Sequence, residues 1–285
     1  MYPQWILDNK DNYIYLLKKF NDYSTGSASW SECYTIADSS DKGLLDLKRK
    51  YNLNNLAIKN NEIEQCLMAM EWTFQHLLSR NYAEFNEKLN AANILEFSRK
   101  NHKTVNCLCH ATVLTEVLLS LGFVARKISC LPIDIVPLDN HVVTVVFIKS
   151  LNKWIMLDPS MSCYITDEDS NILSLSEIRY NLINNKKICI ETFSRFSTLS
   201  VTANKQFEFN QHEYIAYLYK NLFRFMSRSV QSSAATKNKD VFYMLVPKGF
   251  METNTIQKSF VEDAEVELRI TDDDDFFWNN KGAAV

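Results

Sequence analysis

Three side chains within four positions open the stretch VNCLCHATVLTEVLLSLGFVAR: Cys107, Cys109 and His110. Such a cluster can be the corner of a metal site, a pair of buried thiols, or the setting of a nucleophile. Structural zinc needs four ligands placed tetrahedrally. Cys107-x-Cys109-His110 is too cramped on a helix to supply two of them, and no Cys-x-x-Cys pair exists elsewhere. No metal and no cofactor are therefore expected. A nucleophile needs a thiolate, and an ordinary thiol is only a few per cent ionised at neutral pH. A helix N-terminus together with a protonated histidine can supply the missing stabilisation. Asn106 can cap a helix that starts at Cys107. Cys107, Ala111, Leu114, Leu118 and Leu121 then share one face, and Gly122 ends the helix as a C′ glycine does. Cys107 lies in the first turn on that inward face. Cys109, about 200° further around, points nearly the opposite way.

The histidine and its orienting carboxylate are sought further on. His141 opens the strand-like run HVVTVVFI, and Asp158 closes the next one, KWIMLDP. If the connecting turn centres on Lys149–Ser150, the two residues face each other directly, and a slip of two leaves them diagonal but within reach. A carboxylate there can hold one imidazole nitrogen and aim the other at a thiol.

These residues resemble the transglutaminase-like cysteine enzymes, on a papain-like fold. The resemblance rests on Cys107 opening a helix, Ala111, Gly122, Ala125 and Arg126, then the strand-initial His141, then Trp154, Asp158 and Pro159 in WIMLDPS. It covers roughly residues 60–180, and YLYKNLFRF and YMLVP are similar to a bacterial group of small members. One position departs: Val105 stands where many members carry glycine two residues before the cysteine. The resemblance implies a Cys107–His141–Asp158 triad that forms a thioester from a glutamine amide or a carrier-bound acyl group. It implies an amine acceptor, water in peptidase relatives, or no acceptor in a non-catalytic binding module. A carrier protein is one partner it allows. Candidates for substrate contacts are Trp72, Asn106, Cys109 and Asn140, and the N–H of Cys107 is the candidate oxyanion donor.

The elements that must position these residues read as α+β. Helical spacing runs through NYIYLLKKF, KGLLDLKRKY, NEIEQCLMAMEWTFQHLLSR and NAANILEFSRK. DYSTGSASWSE is a loop. RKISCL, HVVTVVFI and KWIMLDP make a central antiparallel sheet, followed by helices over 173–184 and 212–230, a strand at 240–247 and an edge strand at AEVELRI. N-terminal helices are expected to pack on that sheet. Three segments follow: a helical extension over 1–59, the catalytic core over 60–185, and a helix–strand extension over 186–285 with an acidic tail. The DDDD run at 272–275 lacks the alternation and glycine of a calcium loop and is expected to be a solvated tail. His110 and His102 are expected to be solvated or to support the site from behind. His76 and His212 read as surface or cap residues, and Asp134 and Asp139 as loop acids.

With 285 residues, 46% hydrophobic and 23% charged, the chain can bury a sizeable core. A net charge of −3 gives no basic surface for nucleic acid or an anionic membrane. Seven cysteines without framework spacing read as reduced thiols. With no basic, apolar leader at the N-terminus, the expected location is the cytoplasm.

Overall fold

A computed structural model describes residues 4–31, 34–57, 61–78, 81–134, 139–192, 210–233, 239–261 and 264–279. The fold is α+β. The first half holds α1 (Gln4–Asp8), α2 (Lys10–Lys19), the short β1 (Thr35–Ile36), α3 (Lys42–Lys50), α4 (Glu62–Leu77), α5 (Ala91–Asn101) and α6 (Cys107–Ser120). Strands β2 (Val124–Leu131), β3 (His141–Ile148), β4 (Lys153–Asp158) and β5 (Cys163–Thr166) follow. Next come α7 (Leu175–Ile183), β6 (Cys189–Thr192), α8 (Gln211–Asn221), β7 (Arg224–Arg228) and β8 (Val230–Gln231). The chain then forms β9 (Lys239–Leu245), β10 (Thr255–Val261), β11 (Ala264–Thr271) and the one-turn α9 (Asp274–Phe277).

One sheet runs in the order β10-β11-β9-β7-β2-β3-β4-β5-β6, so the strands after residue 186 continue the sheet that carries β3 and β4. The expected antiparallel sheet is in fact mixed, because β11 pairs parallel to β9. The chain crosses from β9 to the edge as β10 and returns as β11 between them, which forces the parallel pair. AEVELRI is thus an inner strand, and the edge belongs to Thr255–Val261.

Helix α6 is buried from Cys109 to Ser120. It lies between β2 and β3 on one side and α3, α4 and α5 on the other. With no solvent face, its polar side chains are bonded internally. Thr112 Oγ1 donates to the Leu108 carbonyl at 2.8 Å, and the Thr115 and Thr144 hydroxyls meet at 3.2 Å. Glu116 accepts the Ala91 N–H at 3.0 Å, capping the start of α5.

The helix expected over 212–230 stops at Asn221, and Arg224–Arg228 is strand β7. Phe225 keeps its inward position, but as a strand residue opposite Cys130 and Leu245. Pairing on both sides of β7 outweighs the helical spacing of the segment.

The acidic run is not a solvated tail. Asp272 accepts from the hydroxyls of Ser24 (2.8 Å) and Ser27 (2.9 Å). Asp273, 2% exposed, accepts the Ala28 N–H at 2.8 Å and caps α9 through the Phe276 N–H at 3.0 Å. These acids tie the N-terminal loop to the end of β11. Beside them Arg126 is fully buried, its guanidinium 4.0 Å from the Tyr34 ring centre and 4.4 Å from that of Trp154. Its Nη1 donates to the Phe277 carbonyl at 2.9 Å. Planar stacking on aromatic faces takes the place of a carboxylate partner.

Candidate active site

Asn106 starts the site. Its backbone is extended and its side chain accepts the Cys109 N–H at 3.0 Å, so α6 begins at Cys107. The far end stops at Gly122, whose φ of 90° suits glycine. Cys107 is half-buried, whereas Cys109 is 2% exposed among the helices.

Strand β3 alternates. Thr144, Val146 and Ile148 face the helical layer with α6, and Thr144 Oγ1 donates to the Ala111 carbonyl at 3.2 Å. Val143 and Val145 pack on the opposite side among Tyr214 and Leu218 of α8 and Leu222 just after it. His141 and Asp158, both buried, also meet on that opposite side, where α8 covers them.

The His141 Nε2 to Asp158 Oδ2 distance is 2.6 Å. The remaining ring nitrogen serves the thiol of Cys107, which also accepts the Val142 N–H. Burial alone would push this thiol up, but the hydrogen bond and charge of His141 outweigh it and hold the thiol below its ordinary value. Burial likewise opposes charge on His141, yet the Asp158 carboxylate and Cys107 raise it to about 10. For Asp158 burial is overcome by His141, Ser160 and Tyr214, and the carboxyl falls to about 2. These shifts all run in the direction of charge separation, thiol down and imidazole up, beside an ionised carboxylate.

Asp158 makes more bonds than the sequence reading anticipated. Oδ1 accepts the Ser160 N–H at 3.0 Å and hydroxyl at 2.6 Å, and Oδ2 accepts the Tyr214 hydroxyl at 2.7 Å as well as His141. The Ser160 contact could be read from the D-P-S sequence as an Asx turn. Tyr214 carries no such signal, because it arrives on α8 from 56 residues away.

The remaining candidates fall in different places. Asn106 is the cap just described. Asn140 is exposed and its carbonyl accepts the Tyr217 hydroxyl at 2.9 Å, while the Tyr217 ring lies 5.2 Å from that of His141. Trp72 stacks on His76 at 3.8 Å and meets Tyr51 edge-on at 5.7 Å, an arrangement of helix packing. Burial and the nearby Cys107 push the Cys109 thiol up to about 12, the opposite of an activated nucleophile. His110 is not solvated. It is 3% exposed, and its Nδ1 donates to the Pro159 carbonyl at 3.2 Å. Burial lowers it to about 4, so it stays neutral and braces the turn after Asp158. Asp139 pairs with Lys220 at 2.7 Å. Tyr82, 58% exposed, sits near Cys107 and Cys109 on a loop held to Thr104, a neighbour that the sequence reading missed.

No protein-family description matches the chain, and no curated protein matches it. A solved structure described as a "Putative Cysteine Protease from Cytophaga hutchinsonii" is similar at 15% identity and a TM-score of 0.30, over 56% of this chain and 55% of that one. The chain thus spans about half the length of that neighbour, and a likeness of this degree carries no conclusion about fold or function. Among the described residues no helix is long and apolar enough to cross a membrane.

Proposed function

We propose that the protein is a cysteine-dependent acyltransferase of transglutaminase-like, papain-like type, which forms an amide between an acyl donor and an amine. The observation that carries this reading is the Cys107 thiol, held below its ordinary value at a helix N-terminus by an imidazole that Asp158 grips at 2.6 Å. In the first half-reaction the Cys107 sulfur attacks the donor carbonyl. A carbon–sulfur bond forms, and the developing oxyanion faces the Cys107 N–H at the start of α6. The bond to the leaving amine or thiol breaks, and His141 gives that group its proton. In the second half-reaction the acceptor amine attacks the thioester and passes its proton to His141. The carbon–sulfur bond breaks, and the thiolate–imidazolium pair returns. Asp158 stays ionised throughout and balances the imidazolium. Glutamine amides and carrier-bound thioesters both suit this cycle as donors, and a carrier protein is the proposed partner for the second. The proposed setting is the cytoplasm, where the thiols stay reduced.

Intact-mass spectrometry after incubation with acyl thioesters and glutamine peptides, with and without an amine, tests the reading. An adduct on Cys107 that leaves only when the amine is added supports it. Release by water alone makes the protein a hydrolase of peptidase or amidase type. No adduct with any donor leaves a binding module on the same fold.

A further inference from the structure

Asp158 is 0% exposed, and a carboxylate so enclosed remains ionised only if donors replace its water. Four bonds do so. Two come from Ser160 to Oδ1, and two converge on Oδ2, from His141 and from the Tyr214 hydroxyl. Tyr214 is itself fully buried, and its hydroxyl also hydrogen-bonds with the Cys163 thiol. The phenol therefore has a fixed orientation and a short, charge-assisted bond of 2.7 Å to the atom that holds the imidazole.

We propose that Tyr214 is a positioning residue of the active site, whose hydroxyl keeps Asp158 an anion and keeps Oδ2 aimed at His141. This rests on the acyltransfer reading only in that Cys107 is the nucleophile. Helix α8 thereby contributes to the chemistry without touching the reacting atoms. Loss of the hydroxyl leaves His141 as the donor at Oδ2. Asp158 then takes up a proton at a higher pH. Once it does, burial drives His141 neutral and Cys107 reverts to a thiol.

The groups facing the carboxylate define this titration. They are His141 from β3, Tyr214 from α8, Ser160 from the following turn, Cys107 and His110 from α6, Cys130 from β2 and Cys163 from β5, while the Tyr217 hydroxyl is spent on Asp139 and the Asn140 carbonyl. His110 is held neutral, and burial keeps Cys130 and Cys163 as thiols, so His141 supplies the balancing positive charge.

The test measures the rate of Cys107 alkylation by iodoacetamide against pH, with peptide mapping, in the wild type, Tyr214→Phe and the control Tyr217→Phe. The acid limb of the Tyr214→Phe profile is expected to move up by about one pH unit, the equivalent of one charge-assisted hydrogen bond. Tyr217→Phe leaves the limb where it was. A limb unmoved in folded Tyr214→Phe, whatever its loss of thermal stability, makes Tyr214 a packing residue and overturns the proposal. If Tyr214→Phe does not fold, 3-fluorotyrosine at 214, a stronger donor of nearly the same size, must move the limb down, and an unmoved limb there overturns the proposal equally. Failure of the nucleophile assignment is separate, because it appears as absence of preferential Cys107 labelling in the wild type.

Discussion

His141 and Asp158 meet diagonally across the β3–β4 ladder. Val146 pairs with Ile155 and Ile148 with Lys153, two positions out of the register that would set His141 directly opposite Asp158. The turn is a 3₁₀ segment over Lys149–Leu151, closed by Asn152 at a φ of 48°, longer than a two-residue turn centred on Lys149–Ser150. The side chains still join at 2.6 Å, because diagonal neighbours on one face lie within reach of an imidazole. Asp158 approaches His141 from along the strand, which leaves the other ring nitrogen free for Cys107.

That geometry selects one thiol. At mildly acidic pH iodoacetamide is expected to modify Cys107 well before Cys66, Cys109, Cys130 and Cys163, which are buried with thiols pushed up by desolvation. Cys107→Ala abolishes acyl-adduct formation. Cys109→Ala keeps it and costs only packing, about 1 kcal/mol. Early label on Cys109 in a peptide map would refute the assignment.

The ion pair has a signature in stability. Unfolded, His141 titrates near 6.5 and Cys107 near 8.5. Folded, the imidazolium persists to about 10 and the thiol ionises below its ordinary value. Wherever the folded pair is thiolate–imidazolium and the unfolded pair is thiol–imidazole, up to about 8.5, each holds one proton, so the pair adds no slope there. Above about 8.5 the unfolded pair has lost both protons and the folded pair keeps one, so stability falls as pH rises toward 10. Cys107→Ala removes the compensating thiol. The fall should then begin near 6.5, a shift of about two pH units in the onset of the alkaline loss of Tm. A Cys107→Ala protein whose stability does not begin to fall near 6.5 would show that His141 does not rest as an imidazolium.

Asp158→Asn probes the third member. The amide can hold the wrong imidazole tautomer and cannot balance an imidazolium. It also accepts fewer bonds from Tyr214 and Ser160, whose hydroxyls lie at 2.7 and 2.6 Å. The acylation rate should drop by about 10⁴-fold, as it does when a buried triad carboxylate becomes an amide, with the circular-dichroism spectrum retained. An unchanged rate removes Asp158 from the mechanism.

What was legible in the sequence is what local chemistry dictates. Asn106 before Cys107 is a cap whatever lies around it, and HVVTVVFI is a strand because buried β-branched residues suit no other element. The thiol, the histidine and the carboxylate could therefore be named in chain order. Tyr214 could not, since nothing near it in sequence says that its hydroxyl ends on Asp158. Segment 224–228 continues a helical spacing, and only the pairing of β7 with β2 and β9 makes it a strand. Thr255–Val261, with exposed Ile256 and Lys258, lacks the alternation of a half-buried strand and gains its order from β11. Sequence left His110 either solvated or supporting the site from behind, because the partner that decides for support, the Pro159 carbonyl, lies 49 residues away.

The acidic run gives the last prediction, because its reading was reversed by contacts distant in sequence. A calcium-binding or solvated DDDD segment would leave its carboxylates pointing outward. Here Asp273 is 2% exposed and accepts two backbone N–H groups, from Ala28 and Phe276. Asp273→Ala strands both donors and removes the cap of α9, whose Phe277 carbonyl in turn accepts from the buried Arg126. Hydrogen bonds to charged groups are worth about 1.5–3 kcal/mol each, and a lost cap about 1 kcal/mol. Since the cap is one of the two bonds, the variant should lose about 2–4 kcal/mol in a urea titration. The exposed Asp275→Ala should change stability by less than about 0.5 kcal/mol. Calcium or a chelator should leave the wild-type Tm unmoved. A calcium-dependent rise in Tm, or an Asp273→Ala protein as stable as the wild type, would return this run to the role of an ion site or a free tail.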